Sequence, residues 1–137
     1  MLLGVPKEVK THEYRVGLVP GSVRELTHRG HRVVIERGAG AGIGFDDAAY
    51  EAAGGHVLAS AAEVFDTAEL IIKVKEPQPQ EIARLKAGQV LFTYLHLAAD
   101  RVQTEGLMKS GATCIAYETV TDARGGLPLL APMSEVA

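Results

Sequence analysis

Three polar side chains stand where an apolar framework has no packing use for them. Together they could do acid–base chemistry on a small anionic carbonyl compound. Lys75 closes the run LIIKVK at 70–75, a stretch that opens on Leu70, Ile71 and Ile72 and ends on a cation. His96 follows QVLFTYL, and period-two alternation sets it on the same face as Tyr94. Arg15 lies in KEVKTHEYRVGLVP, a long connection that ends in a helix entry at Pro20 to Ser22, and its neighbours are Tyr14 and Val16. An arginine held by packing neighbours suits bidentate contact with a carboxylate, a lysine can polarise a carbonyl oxygen, and a histidine can move a proton near neutrality. Each also has a plainer reading. Loop arginines are usually solvated, a histidine among apolar neighbours is usually structural, and Lys73 shares a face with Lys75, so either lysine can snorkel into water. What joins the three is position, because open parallel sheets bind ligands beyond the carboxyl ends of their strands.

The elements that must hold these residues repeat one pattern: an amphipathic stretch, a glycine that closes it, then an apolar strand. RELTHRG precedes HRVVIE, YEAAGG precedes HVLA, EIARLKAG precedes QVLFTYL, and GLMKSG precedes ATCIAYE. Gly30, Gly54 or Gly55, Gly88 and Gly111 are the expected helix stops. LLGVP at 2–6 and LIIKVK at 70–75 complete six strands, each apolar nearly throughout, as strands buried on both faces are. The expectation is an α/β domain with a mostly parallel sheet covered by helices on both faces, flavodoxin-like or Rossmann-like.

Composition narrows the function classes. The 137 residues are 47% hydrophobic and 23% charged, which excludes a disordered chain, and the apolar runs are too short to span a bilayer. A formal charge of −3 without a basic stripe gives no reason to expect nucleic acid. MLLGVPKEVK has no long apolar core behind a basic head, so it is not expected to act as a signal peptide. The single cysteine, Cys114, allows no intramolecular disulfide, fits a reducing cytoplasm, and reads as a small hydrophobe inside a strand. Neither HxxxH nor CxxC spacing occurs, so no metal site is expected, and there is no GxSxG nucleophile elbow.

The glycine-rich segment ERGAGAGIGFDDAAY invites a nucleotide reading that its spacing refuses. Counting six from Gly38 reaches Ile43, and from Gly40 reaches Phe45, where a dinucleotide fingerprint needs glycine. The favoured reading is a flexible connection followed by a helix capped by Asp46 or Asp47, with a phosphate site as the alternative.

In order along nearly the whole chain, GVPKEVKTHEYRVGLVP, VIERGAGAGIGFDD, KVKEPQ, TYLHLA, AYETV and LPLLAPMSEVA resemble the N-terminal part of the bacterial L-alanine dehydrogenase family. The resemblance implies two α/β domains, one for substrate and one for NAD. It implies Arg15 and Lys75 as substrate-binding residues and His96 as the catalytic acid/base. Met133 and Ser134 would border the nicotinamide. It further implies L-alanine and pyruvate as substrates and a homo-oligomer, hexameric in the family. The related transhydrogenase subunit shares the PKE, RV and KEP pattern but lacks the histidine after TYL, so His96 favours the dehydrogenase. Saccharopine dehydrogenases share the early Arg and Lys pattern more loosely. A flavodoxin-like binding module without chemistry is a further alternative, although a phospho-receiver would carry an aspartate where Lys75 stands.

Family members are more than twice as long, and their GxGxxG and a second catalytic carboxylate lie beyond residue 137. Residues 1–137 are therefore expected to be the N-terminal part of the substrate-binding domain, with the NAD-binding domain absent, no activity alone, and exposed apolar surface that favours association. Ser134 followed by Glu135 reads as the cap of a helix that is just starting.

Overall fold

The computed structural model describes residues 1–136. One sheet contains β1 (Leu2–Val5), β2 (Arg32–Glu36), β3 (His56–Leu58), β4 (Leu70–Ile72), β5 (Val90–Thr93) and β6 (Thr113–Ala116). Every pairing is parallel, so the sheet is wholly rather than mostly so. The order across it is β3-β2-β1-β4-β5-β6. The chain winds outward from β1 to β3, returns to β4 beside β1, and winds outward the other way. The crevice above the adjacent ends of β1 and β4 is thus the topological switch point.

Helices α1 (Pro20–His28), α2 (Asp47–Ala52), α3 (Ala61–Thr67), α4 (Pro79–Ile82), α5 (Arg101–Ser110) and α6 (Ala131–Val136) make the connections and the end of the domain. Of the expected helix stops, Gly30, Gly54 and Gly111 stand just past the ends of α1, α2 and α5 with positive φ; Gly88 also has positive φ but lies six residues beyond the end of α4, in the turn that leads into β5, so it stops no helix. Strand alternation divides the core in two. Val33 and Ile35 of β2 join Val5, Val23 of α1 and Tyr50 of α2 on one face, while Val34 joins Phe65 of α3, Ile71, Leu91 and Leu107 of α5 on the other. Full burial of side chains such as Phe65 and Ile71 contributes about 1.5–3 kcal/mol each. Gly4 lets α3 lie close on β1, because a Cβ there would sit 2.6 Å from the Cβ of Ala68. Ser60 and Glu63 fix the start of α3 with a reciprocal capping box.

Three further expectations are corrected. The strands are shorter than their apolar runs, because side-chain carboxylates take over the backbone N–H groups where the ladders stop. Past β4, Val74 and Lys75 donate to Glu8, at 3.2 and 2.9 Å. Past β5, Leu95 and His96 donate to Glu118, at 3.1 and 2.8 Å. Past β1, Lys7 donates to Glu36 at 2.7 Å. The glycine-rich segment is no flexible connection: it folds into a 3-10 turn over Ala41–Ile43, and Gly38 donates its N–H to Asp47 at 2.8 Å. Asp46 is the cap of α2, accepting from the Ala49 N–H at 2.9 Å. Ser134 is not a cap. Helix α6 already begins at Ala131, and the Ser134 N–H bonds back to the Leu130 carbonyl at 3.2 Å. Pro132 falls in the first turn, where its missing N–H costs nothing.

Candidate functional site

Two segments meet above the switch point. The connection from β1 crosses the end of β4 at Gly17, where a Cβ would lie 2.5 Å from the Ile72 carbonyl oxygen; only a glycine admits that approach. Its outer part, His12 to Arg15, leans on the glycine-rich turn, since a Cβ on Gly42 would come within 2.8 Å of the Tyr14 carbonyl oxygen. The glycines that suggested phosphate binding are spent on this close packing.

Lys75 stands on a backbone fixed by four hydrogen bonds to three side chains. Glu8 accepts the N–H groups of Val74 and Lys75, the Tyr117 hydroxyl donates to the Val74 carbonyl at 2.6 Å, and the Thr93 hydroxyl donates to the Lys75 carbonyl at 2.9 Å. Burial pushes the Tyr117 hydroxyl up to about 12, so it remains a donor. The Lys75 ammonium lies 4.6 Å from the centroid of the Tyr94 ring. Among the described residues no carboxylate is within ion-pair distance of it, so its charge is available to a ligand.

Lys73 takes the opposite course. It does not snorkel: its ammonium is buried, 3.0 Å from Glu8 and 3.2 Å from Glu81. Both carboxylates are themselves buried. Burial holds the Glu81 carboxyl above the usual carboxylate range, opposed by the attraction of Lys73. Lys73 thus neutralises the carboxylate that clamps Lys75.

Arg15 is half-buried and gripped by its near neighbour Glu13, Nε to Oε1 at 2.6 Å and Nη2 to Oε2 at 2.8 Å. These bonds to Arg15 hold the Glu13 carboxyl below its ordinary value and raise the guanidinium reciprocally. The grip uses one edge of the guanidinium and leaves the Nη1/Nη2 edge, with its hydrogens in bidentate geometry, for a second carboxylate. Sequence reasoning found Arg15 but missed Glu13, whose signal was an acidic residue two positions away in a loop.

A cleft of about 450 Å³ collects Arg15, Lys75, Tyr94, Met133 and Ser134, with Glu13 in its wall. His96 does not line it. The His96 ring stands beside the cleft, 5.8 Å from the Tyr94 ring between centroids. Its backbone is left-handed, φ 46 and ψ 50, a conformation that costs a residue with a Cβ about 1–3 kcal/mol. On the far wall Leu130, Met133 and Val136 present apolar surface. Beside that apolar wall stands the exposed Ser134 hydroxyl. The glycine-rich turn offers a diphosphate no cradle, because it is filled by its own packing on Tyr14 and Tyr50. Among the described residues, no helix is long and apolar enough to cross a membrane.

Fold and site together define a doubly wound α/β domain with a two-cation cleft at its switch point. Residues 4–137 match the family described as alanine dehydrogenase/PNT, N-terminal domain, and the chain belongs to that family. It is 63% identical over all 137 residues to the alanine dehydrogenase of Halomonas elongata, and 54% identical to that of Bacillus subtilis. It spans 37% and 36% of the lengths of these two relatives. A solved L-alanine dehydrogenase superimposes on the whole chain with a TM-score of 0.96 at 53% identity, the chain covering 38% of it. The transhydrogenase from Sinorhizobium meliloti matches 90% of the chain with a TM-score of 0.83 at 32% identity, 37% of that structure being covered.

Proposed function

We propose that residues 1–137 are the N-terminal part of the substrate-binding domain of an alanine dehydrogenase, whose remaining length supplies the NAD-binding domain. The full-length protein would convert L-alanine, NAD⁺ and water into pyruvate, ammonium, NADH and a proton, reversibly. The observation that carries this reading is the pair of available cationic groups in one cleft: the open Nη1/Nη2 edge of Arg15 and the unpaired ammonium of Lys75. A 2-oxo acid presents a carboxylate and an adjacent carbonyl oxygen, which are the two acceptors such a pair can take.

Arg15 receives the carboxylate, and Lys75 holds the oxygen at C2 and stabilises negative charge there as water adds or leaves. Tyr94, under the Lys75 ammonium, limits where that ammonium can move. His96 moves the proton as ammonia departs or enters. Met133 and Ser134 border the nicotinamide, which when bound takes the hydrogen at C2 as hydride. By itself residues 1–137 would neither bind NAD tightly nor turn over. The reading includes a cytoplasmic location, consistent with the lone Cys114, and a homo-oligomer.

The test is alanine-dependent formation of NADH by the full-length protein. Alanine-dependent turnover, lost in His96→Ala, supports the reading. The likeness to a transhydrogenase favours a second reading, a domain of a nicotinamide nucleotide transhydrogenase. Exchange of reducing equivalents between two nicotinamide nucleotides, with no response to alanine, would replace the first reading with it.

A further inference from the structure

We propose that Glu118 is the positioning residue for His96, holding its backbone in the left-handed conformation by accepting the N–H groups of Leu95 and His96. The inference rests on the reading of His96 as the group that moves the proton.

Beyond Thr93 the β5 backbone outruns its neighbour, since β6 ends at Ala116 and turns into a 3-10 turn over Tyr117–Thr119. The N–H groups of Leu95 and His96 have no strand left to pair with. Glu118, on that turn, answers both: Leu95 donates to its two oxygens at 3.1 and 3.2 Å, and His96 donates at 2.8 Å. The other side of Leu95 is also fixed, its carbonyl accepting from the buried Gln103 side chain at 2.7 Å. Between these two anchors the chain reverses at His96, with φ 46, and enters the 3-10 turn Leu97–Ala99. Among the described residues His12 is the one other non-glycine position with positive φ, and it lines the cleft beside which His96 stands.

A residue that merely ended a strand could do so in extended or right-handed backbone, or as glycine. Here the left-handed turn belongs to a histidine, and it brings the imidazole beside Tyr94. Without two N–H groups bound to one carboxylate, residue 96 would relax toward the allowed right-handed region and carry the ring away from Tyr94. Glu118 therefore acts through His96 and touches no reacting atom.

The test uses the full-length protein. In Glu118→Ala, kcat for alanine oxidation is expected to fall about thirty- to a hundred-fold while the alanine KM stays within about threefold, as for a displaced proton-transfer group. Glu118→Gln, which keeps one oxygen facing the two N–H groups, should recover most of that rate, to within about three- to tenfold of wild type. In a His96→Ala background, either substitution should change the residual rate by less than about twofold, because the two residues act as one unit. A crystal structure of Glu118→Ala should show residue 96 out of the left-handed region. An unchanged kcat, an equal loss in the His96→Ala background, or residue 96 still left-handed in the variant overturns the inference. If Glu118→Ala does not fold, Glu118→Leu, which keeps bulk but offers the two N–H groups no acceptor, carries the same comparison, and a kcat equal to wild type in that variant overturns the inference. If the wild-type protein shows no turnover with alanine, the functional reading fails, and the backbone at residue 96 decides the positioning claim alone.

Discussion

Glu13 and Arg15, both lining the cleft, form a bidentate pair in which the carboxylate takes the Nε/Nη2 edge of the guanidinium and leaves the Nη1/Nη2 edge without a bonded partner among the described residues. The two residues are neighbours but one on a loop that has no ladder to stiffen it. The pair converts a flexible side chain into a fixed fork before any ligand arrives.

Glu13→Ala should therefore weaken binding of the substrate carboxylate. Charge-assisted bonds of this kind are worth about 1.5–3 kcal/mol, which corresponds to roughly a ten- to hundredfold rise in the alanine KM. Steady-state kinetics of the full-length variant checks this, and a KM within twofold of wild type contradicts it. Because Arg15 depresses the Glu13 carboxyl, the pair's contribution is present above the ordinary carboxylate range and lost only as pH falls through the depressed value.

Glu81 has the opposite sign. Its carboxyl is raised by burial, so in the window just above 4.5 the folded protein holds a proton that the unfolded chain has released. Stability should fall as pH rises through that window. Glu81→Gln removes the proton uptake while leaving Glu8 as the partner of Lys73. Urea unfolding of both proteins across pH 4 to 8 should show the variant gaining on wild type as pH rises; parallel curves contradict the assignment.

The loop that carries Arg15 depends on a contact made by a glycine. Gly42→Ala would place a Cβ 2.8 Å from the Tyr14 carbonyl oxygen, and overpacking of this kind costs about 1–3 kcal/mol. The displaced loop should raise the alanine KM about tenfold, an effect within the usual reach of a misplaced binding group. Gly21→Ala, which meets nothing within 4 Å and lies in the first turn of α1, is the control; it should leave KM unchanged and should not lower stability.

The fold was legible because its signals are local. Gly30, Gly54 and Gly111 close helices whatever lies elsewhere, and apolar strands buried on both faces announce a parallel sheet; Gly88 was misread, because α4 ends at Ile82 and Gly88 lies in the turn that leads into β5. That Arg15 and Lys75 stand in one cleft was legible because the loop after β1 and the end of β4 must meet at the switch point of such a sheet. Lys73 was not. Only the fold brings it to Glu8, 65 residues away, and to Glu81, so the two lysines of one run, two residues apart, have opposite fates. The same holds for the ends of β4 and β5: an apolar run continues through Val74 and Leu95, but the backbone there is claimed by Glu8 and Glu118. The start of α6 was misread because Ser134 makes a good cap in isolation, whereas Ala131 and Pro132 already lie in the helix.

The most direct measurement is kcat/KM for L-alanine of the full-length protein with Lys75 replaced by alanine, set beside wild type under identical NAD concentrations. Loss of an unpaired ammonium that holds the reacting oxygen should lower kcat/KM by about a thousandfold or more, with the folded structure retained. A folded Lys75→Ala protein whose kcat/KM stays within tenfold of wild type would contradict the assignment of this cleft as the substrate site.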